Sequence, residues 1–490
     1  MARTTWVPRV LIVLVVIGLG WNLPTLFFDD AYITFRYAAN LAAGDGFTYN
    51  PPEHVLGVTT PLLTLLLAAA AWLGADLESA ALMLGLAGHA LLCLAVLDAV
   101  PLLLAVRARP GPNFRAVGLF AALVVAFHPH LAFTAVGGME TSLYCALIIS
   151  TLAASARSRT GLAGALFGVA LLTRPDAVLI ALPAALLLWG GDVEGGYAGL
   201  GRFGVIRATI AAAAVSGWWF LFAWSYFGSP VPHSILAKRL IHPVTPEQVV
   251  AEFTRYASDD IFMMVALPLA LWTVLFSRRR MAKALGLFCL LYVGAIIFGG
   301  VEPFAWYINP VIPAVLALAM AGLADLLTLV RLPGKAAGWA ALAVTALAVV
   351  PMCVAIKKQA PGLADDWDAW EGTYEVAARW IMSDSKPGDR IYVGETGVIG
   401  YLLGGRYIID SSGINSPEVI RLRAGRREQD PEWSRRIIRE LSPDYITTSV
   451  AYLNVTTIAS EAWFDALYER VASPLVEQEG QVIFRRRRDA

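Results

Sequence analysis

Residues 29–52 read DDAYITFRYAANLAAGDGFTYNPP, with two adjacent carboxylates, Asp29 and Asp30, at the head of the stretch. The nineteen residues before them, Val10 to Phe28, carry no charge and are enough to cross a bilayer as one helix. The sequence therefore predicts a first membrane helix that brings two acids to the water interface. A juxtamembrane helix, AYITFRYAANLAAG, is predicted to follow them.

The composition of the chain is that of a membrane protein with many helices. Of its 490 residues, 57% are hydrophobic, and the mean hydropathy is +0.61. These values are too apolar for a single soluble core. The formal net charge is zero, so we expect no nucleic-acid partner. The four cysteines lie in apolar runs and predict no disulfide framework.

Hydropathy and the positions of the arginines predict about eleven transmembrane helices within residues 1–356. Apolar runs long enough to cross begin near Val10, Ser79, Ala116, Met139, Arg207, Ile261, Met281, Phe304 and Ala336. The stretch Gly161–Gly190 reads as two short helices that meet at the turn TRPD, residues 173–176. The arginine-rich loops can all lie in the cytoplasm only if the number of spans between them is even. This requires that Pro61–Ala75 does not cross the membrane. We expect that segment to lie at the outer interface or to dip in and return.

This topology places five polar segments on the extracytoplasmic side of the cytoplasmic membrane. They are the first extracytoplasmic loop with its juxtamembrane helices, 27–57, and residues 128–141, 173–176, 228–243 and 301–307. Acids, histidines and bases from distant parts of the chain are thus expected on one face of the bilayer. The cytoplasmic loops carry mostly arginine.

The tail, residues 357–490, is predicted to be a soluble α/β domain on the same outer side. DRIYVGE, RYIIDS and DYITTSV have the pattern of short strands, and PEWSRRIIREL has the pattern of a helix. The glycine pattern GETGVIG, residues 394–400, is a weak signal for phosphate binding because no lysine follows it and a glutamate lies inside it.

The paired acids Asp29 and Asp30 have two interpretations. Acids at this position can cap the following helix and mark the membrane boundary. Two close carboxylates can also divide catalytic work, one acting as a general base while the other binds a metal or fixes the geometry. Capping accounts for one acid of the pair and leaves the other unexplained.

Three further charged residues have a structural and a functional interpretation. Glu140, in GGMETSLY, is either a helix N-terminal acid or an acid of the active site. Arg174 and Asp176, in TRPD, form either an internal salt bridge or part of an anion site for a phosphate head group, and both can hold.

The outer bases and histidines carry weaker signals. Lys238 and Arg239 are phosphate ligands or ordinary interfacial bases that extend to the head groups. The four outer histidines are His54, His128, His130 and His233. A divalent cation shared between a carboxylate and a histidine is a possible cofactor, with Asp30, His128 and His130 as candidate ligands. Interfacial histidine is the alternative for each of them.

The motifs together resemble the GT-C superfamily of membrane glycosyltransferases, which use polyprenyl-phosphate sugars as donors. The resemblance covers residues 10 to about 330 and rests on five stretches. These are DDAYITFRYAANLAAGDGFTYNPPEHVLGVTTPLLTLLLA, GGMETSLY, LLTRPDA, YFGSPVPHSILAK and WYINPVIPAVLALA. The opening is most similar to the mycobacterial terminal arabinofuranosyltransferases. Lipid A aminoarabinose transferases and protein O-mannosyltransferases are more distant. The stretches GVTTP and PHS differ from the commonest sequences of the corresponding family motifs. The roles that the resemblance implies for Thr60 and His233 are therefore less direct.

The resemblance implies roles for individual residues. Asp29 becomes the general base for the acceptor hydroxyl, Asp30 its partner, and Glu140 a second acid of the pocket. Arg174 and Lys238 match positions near the lipid phosphate. The other positions expected to contact substrate are Tyr32, Arg36, Asn50, His54, Thr60, Asp176, His233, Glu302 and Tyr307.

The function implied is inverting transfer of a sugar, arabinofuranose by the nearest branch, from a polyprenyl-phosphate donor to a cell-envelope glycan outside the membrane. Mannose, glucose or aminoarabinose transfer to glycan, lipid or protein is an alternative. A non-enzymatic flippase or transporter of lipid-linked sugars is another, although transporters favour midplane sites and internal repeats.

Overall fold

The structure is a computed structural model that describes residues 6–104, 114–192, 197–241, 243–329, 334–423, 431–449, 457–471 and 480–488. The chain divides into two compact units. The first unit is Met1–Thr25, Ala81–Leu221 and Val244–Ala360. The second unit is Leu26–Ala80, Phe222–Pro243 and Pro361–Ala490. The sequence predicts a division at residues 356 and 357 instead.

The first unit is built of helices. Those wholly within it are Trp6–Asn22, Phe114–Phe127, Pro129–Ala135, Thr141–Ala156, Thr160–Thr173, Ala181–Gly190, Pro246–Asp259, Ile261–Phe276, Arg280–Gly299 and Ile312–Leu329, with 3-10 turns at Pro175–Ile180 and Ala305–Tyr307. The helices whose residues are divided between the units are Leu77–Leu103, Gly201–Phe227 and Gly334–Asp384. Two short strands, β1 Gly191–Asp192 and β2 Tyr197–Ala198, pair antiparallel.

Within the described ranges, three helices are long and apolar enough to cross a membrane: Leu77–Leu103, Gly201–Phe227 and Arg280–Gly299. Two bent pairs raise the number to five if each pair is one span. One pair bends by 66° at His128 and the other by 105° at Asp260. Six further apolar helices are shorter. The count of eleven spans, and the course of Pro61–Ala75, therefore stay predictions.

The turn TRPD joins two short helices as predicted. The helix Thr160–Thr173 ends at Arg174, whose backbone is extended, because the residue before a proline avoids helical angles. Pro175 then occupies the first position of the 3-10 turn, where its missing N–H costs nothing. The helix Ala181–Gly190 follows. Arg174 and Asp176 are thereby held at a helix break and not inside a regular helix.

The second unit contains a mixed sheet of five strands in the order β4-β3-β5-β7-β6. The strands are β3 Arg390–Val393, β4 Tyr407–Asp410, β5 Tyr445–Ser449, β6 Tyr468–Arg470 and β7 Gln481–Arg486. Ile391 is in register with Ile408 and Tyr445, so β3 lies parallel to β4 and β5, while β7 is antiparallel to β5 and β6. The helices of this unit are Asp29–Ala43, Pro61–Trp72, His233–Ile241, Val398–Leu402, Pro417–Arg423, Pro431–Leu441 and Ala462–Leu467.

The predicted elements of the tail are present. β3, β4 and β5 fall within DRIYVGE, RYIIDS and DYITTSV, and the predicted helix is Pro431–Leu441. Trp433 and Ile437 on that helix pack against Ile409 and Ile446 of the sheet. Because the three parallel strands end at one edge, the loops after β3 and β4 start side by side. In open α/β sheets that edge is the usual place for a binding site.

The first loop, residues 27–57, packs on the tail through two buried polar side chains. The Arg36 guanidinium donates to the carbonyl oxygens of Tyr49, Gly400, Leu403 and Arg406. The Asn50 amide donates to the Ile408 carbonyl at 2.8 Å and accepts from the Ile408 N–H at 3.0 Å. Asn50 thus pairs with the outer side of β4, the edge strand, as a one-residue strand would. These contacts explain why residues 26–80 cluster with the tail.

Replacing Asn50 by alanine is expected to lower the free energy of unfolding by about 2–6 kcal/mol. Two buried backbone groups of Ile408 lose their partner, at about 1–3 kcal/mol each. The measurement is the unfolding midpoint of the purified protein in detergent. Asn22→Ala is the matched control, because the exposed Asn22 amide bonds only to Gly18 of its own helix. Equal midpoints for the two variants would contradict the pairing.

Candidate functional site

The carboxylate of Asp29 caps a helix, but it is a helix of the tail. The helix Asp29–Ala43 has no side-chain cap of its own. Asp29 accepts a hydrogen bond from the Gly397 N–H on Oδ2 at 2.9 Å and from the Val398 N–H on Oδ1 at 2.8 Å. These donors are the free N–H groups at the start of the helix Val398–Leu402. The interpretation of Asp29 as a simple cap of the following helix is therefore wrong.

Glycine at position 397 allows this contact. A Cβ on residue 397 would lie 1.8 Å from the Asp29 carbonyl oxygen and 2.5 Å from the Asp29 Cγ. Glycine at 400 is required for the same kind of reason, since a Cβ there would lie 1.8 Å from the Tyr49 hydroxyl. The backbone N–H groups of the stretch GETGVIG thus bind the Asp29 carboxylate of the same chain. In a phosphate-binding glycine-rich loop, the corresponding N–H groups bind the phosphate.

Asp30 is paired with Lys238, at 3.1 Å between Oδ2 and Nζ. Lys238 lies in the helix His233–Ile241, and both side chains are partly exposed. The sequence predicts both residues on one face of the membrane, and the ion pair between them is a finding of the structure. The pairing also gives Asp30 a cationic partner without a metal ion.

Burial raises the pKa of the Asp29 carboxyl to about 6, and the negative charges of Asp30 and Asp410 act in the same direction. The Val398 and Gly397 N–H groups oppose the rise because they stabilise the ionised form. A carboxylate with a pKa in this range is a stronger base than a solvated aspartate and is still mostly ionised at neutral pH. Both properties suit a general base.

Other predicted substrate positions within residues 26–80 are engaged inside the second unit. Tyr32 is buried and its hydroxyl donates to Glu78 at 3.1 Å. The buried Thr60 hydroxyl lies 3.4 Å from that of Thr34. Arg36 and Asn50 contact the tail as described above, and these contacts account for both side chains without a substrate.

The two predicted histidines of this unit lie nearer its surface. His54 is exposed and stacks on Tyr226, with ring centroids 3.9 Å apart and planes at 23°. The His233 imidazole is half-buried, and its backbone N–H donates to the Leu56 carbonyl at 2.8 Å. His54 presents an aromatic ring of the kind that sugar rings stack upon.

A second charged cluster lies in the first unit, around Arg174. Arg174 bonds Glu140 at 3.1 Å through Nη1 and Asp176 at 3.1 Å through Nη2. Its guanidinium lies over the Tyr307 ring, 5.5 Å from the centroid. The salt-bridge interpretation of Arg174 and Asp176 is confirmed, and Glu140 and Tyr307 join the same cluster. Glu302 lies exposed in the loop just before the turn that carries Tyr307.

Two further members of this cluster, Tyr144 and Tyr292, are not among the residues that the sequence predicts for the site. The Tyr144 ring lies 5.4 Å from the Arg174 guanidinium carbon, and the Tyr292 hydroxyl donates to Asp176 at 3.1 Å. Tyr144 had a local signal, because it follows Glu140 by four residues on one helix face. Tyr292 had none, since it lies in an apolar run 116 residues from Asp176.

Two carboxylates around one guanidinium leave this cluster with a surplus of negative charge when both are ionised. Burial raises the pKa of Glu140, and Arg174 opposes the rise. Burial therefore favours the neutral form of Glu140, the partner of Arg174. An incoming anion would compete with the two carboxylates for Arg174, and protonation of Glu140 would lessen that competition.

The candidate metal-binding histidines contact a different acid from the one expected. His128 Nε2 lies 3.1 Å and His130 Nε2 4.0 Å from Asp260 Oδ2. Asp260 also caps the helix Ile261–Phe276. Across the described parts of the chain, no group of three or more His, Cys, Asp or Glu side chains is arranged to hold a metal ion. A mainly apolar cavity of ≈170 Å³, lined in part by His130, Asp260 and Asn309, lies in the same unit.

Comparison with protein families assigns no activity to the chain. A family described as a Domain of unknown function (DUF8728) matches residues 365–487. No curated protein matches the sequence.

Solved structures give the fold. ArnT from Cupriavidus metallidurans, bound to undecaprenyl phosphate, matches with a TM-score of 0.58 and 15% identity over 99% of this chain and 98% of that chain. The oligosaccharyltransferase AglB from Archaeoglobus fulgidus, in complex with an inhibitory peptide and a dolichol-phosphate, matches with a TM-score of 0.57 and 14% identity over 96% and 74%. A complex of the Archaeoglobus fulgidus enzyme with Zn and sulfate matches with a TM-score of 0.54 and 12% identity over 95% and 72%.

At these identities the likeness shows the fold alone, which this chain shares with ArnT and the Archaeoglobus fulgidus oligosaccharyltransferase. The predicted fold, helical with apolar helices and a small C-terminal sheet, is confirmed in these coarse features. The comparisons give no support to the arabinofuranosyltransferase branch in particular.

Proposed function

We propose that this chain is an inverting glycosyltransferase that moves a sugar from a polyprenyl-phosphate donor to a cell-envelope glycan on the outer face of the membrane. The observation that carries the proposal is the Asp29 carboxylate, fixed by two backbone N–H groups beside the Asp30–Lys238 pair. The GT-C fold supports the class of reaction, and the lipid phosphates bound to ArnT and AglB support the class of donor.

In the proposed reaction Asp29 removes the proton of the acceptor hydroxyl. The freed oxygen attacks the anomeric carbon of the donor sugar, and the bond from that carbon to the phosphate oxygen breaks. The polyprenyl phosphate leaves with the electron pair, and a single displacement inverts the anomeric centre. The leaving group is already a good one, so it needs nearby positive charge more than it needs a proton.

Lys238 is the proposed source of that positive charge beside Asp29, and the resemblance gives Arg174 a phosphate contact as well. Each is paired with carboxylates in the structure: Lys238 with Asp30, and Arg174 with Glu140 and Asp176. Donor binding would replace part of these pairs by contacts to the phosphate. Arg174 presents a planar set of N–H groups, which suits two oxygens of one phosphate.

The donor to test first is decaprenyl-phosphoarabinose, because the opening motif is most similar to the arabinofuranosyltransferases. Mannose, glucose and aminoarabinose donors on polyprenyl phosphate are the other candidates. His54, exposed and stacked on Tyr226, is the proposed contact for a sugar ring of the acceptor. We place the Asp29 site and the tail outside the cytoplasmic membrane, where donor lipid and acceptor glycan meet.

The test is transfer from radiolabelled donors to a cell-envelope acceptor extract by the purified protein, with and without an added divalent cation. Transfer from one donor of the panel, with inverted anomeric configuration, is the expected result. Movement of labelled donor across proteoliposomes without transfer from any donor would instead support a flippase. Retention of configuration would contradict the single displacement.

The rate of transfer is expected to fall as the pH decreases through about 6. Asp29 must be ionised to accept a proton, and its pKa is raised from 3.8 to about 6 by burial. At pH 5 roughly a tenth of the enzyme would carry the ionised base, and a pH of 8 would leave almost all of it active. The measurement is kcat between pH 4.5 and 8.5. An acid limb near pH 4 would mean that Asp29 is not the titrating base.

A further inference from the structure

The turn Thr396–Val398 of the tail is attached to the first loop at successive residues. The Thr396 carbonyl accepts from the Tyr49 hydroxyl at 2.6 Å. The next two residues, Gly397 and Val398, donate their N–H groups to Asp29. All of these residues belong to the second unit. The carboxylate of Asp29 therefore lies at the carboxyl edge of β3, in the place a ligand takes in many α/β domains.

Building on the proposed function, we propose that this turn is a positioning element of the transferase site, with Gly397 as the positioning residue. This proposal gives a role to residues 365–487, which match the domain of unknown function. This part of the chain fixes the catalytic carboxylate of Asp29, and its glycine-rich stretch does not serve a nucleotide or phosphate ligand.

The geometry of the two hydrogen bonds supports this role. Each Asp29 oxygen accepts from one N–H group, so the plane and the rotation of the carboxylate are both fixed. A carboxylate offers about four lone-pair directions, and two are left for the acceptor hydroxyl. Holding a base in one orientation is a large part of catalysis by proximity. The same two N–H groups stabilise the ionised form of Asp29.

The surroundings of Asp29 would otherwise favour its neutral form. The charges of Asp30 and Asp410 raise the pKa of Asp29 together with burial. Asp30 is in turn paired with Lys238. The Val398 and Gly397 N–H groups act in the opposite direction, because they stabilise the negative charge on Asp29 directly.

The first test is Gly397→Ala, with Gly404→Ala as the matched control. A Cβ at 397 meets Asp29, whereas a Cβ at 404 has no heavy atom within 4 Å. We expect Gly397→Ala to lower kcat at pH 7 at least about tenfold with the donor KM within about twofold, because the base is displaced and not the binding site. The acid limb of the pH profile is expected to move to higher pH. Wild-type kcat and an unshifted limb in Gly397→Ala would overturn the proposal.

The second test does not depend on activity or on a known donor. Amide hydrogen exchange is measured by mass spectrometry on peptides that cover residues 396–402, in Asp29→Ala and Asp30→Ala. Loss of the Asp29 acceptor is expected to speed exchange in these peptides at least about tenfold, and Asp30→Ala is expected to leave it unchanged. Unchanged exchange in Asp29→Ala would overturn the proposal even if transfer is found. Faster exchange without transfer from any donor would overturn the proposed function and leave the contact established.

Discussion

Replacing Asp29 by asparagine is expected to lower kcat for sugar transfer by about 10²- to 10⁴-fold, the usual contribution of a general base. The amide has the size of the carboxylate but cannot accept the proton of an alcohol. It also meets two N–H donors with a single acceptor oxygen, so one hydrogen bond to Gly397 or Val398 is lost. The measurement is single-turnover transfer from a saturating donor at pH 7.5.

Asp45→Asn serves as the control for this experiment. Asp45 lies exposed in the same loop, and its side chain takes no part in the proposed site. Its substitution is expected to leave kcat unchanged. A fully active Asp29→Asn enzyme would mean that the base lies elsewhere, with Glu140 as the next candidate.

Replacing Arg174 by methionine is expected to lower the free energy of unfolding by about 3–5 kcal/mol, because it leaves the Glu140 and Asp176 carboxylates without their shared cation. Methionine keeps much of the side-chain volume, so the loss reflects charge and hydrogen bonding. A second substitution, Glu140→Gln, is expected to restore part of the stability, since it removes one unpaired charge. The measurement is unfolding of the purified protein by denaturant in mixed micelles.

The control for Arg174 is Arg255→Met. Arg255 pairs with Glu252 on the exposed side of one helix, where solvent screens the interaction. This variant is expected to unfold at the wild-type midpoint. If Arg174→Met did the same, the cluster would contribute nothing to stability, and its role would rest on the donor phosphate alone. A raised donor KM in Arg174→Met would then be the remaining expectation.

Local patterns of the sequence predicted local structure well. The helix Pro431–Leu441 and the break at Arg174 follow from signals within a few residues, namely an amphipathic pattern and a proline. The resemblance implied that Lys238 and Arg174 both lie near the lipid phosphate and that Glu140 belongs to the pocket of Asp29. It did not indicate that Lys238 pairs with Asp30, or that Arg174 pairs with Glu140. That charged side chains such as Asp30 and Lys238 would have partners was predictable, because charges at the membrane face need them.

The partners of Asp29 could not be predicted in the same way. They are two backbone N–H groups, and every residue except proline has one, so no residue type marks them. The glycine at 397 is the only trace in the sequence, and without the structure it suggested a phosphate loop. For the same reason Arg36 and Asn50 gave no sign of binding backbone groups of the tail, and the division into units came out differently from the hydropathy pattern.

The distance along the chain between Asp29 and Val398, which is 369 residues, has a consequence for biosynthesis. At a synthesis rate of about 5–20 residues per second, roughly 20–70 s pass between the two ends of this contact. During that interval the first loop has been made while its partner has not. A chain released early, by a stop codon or by a protease, would carry the acidic motif and the membrane helices without a fixed base. If Asp29 is the base, as proposed, transfer activity is expected to begin only when the tail has been synthesised and has folded onto the first loop.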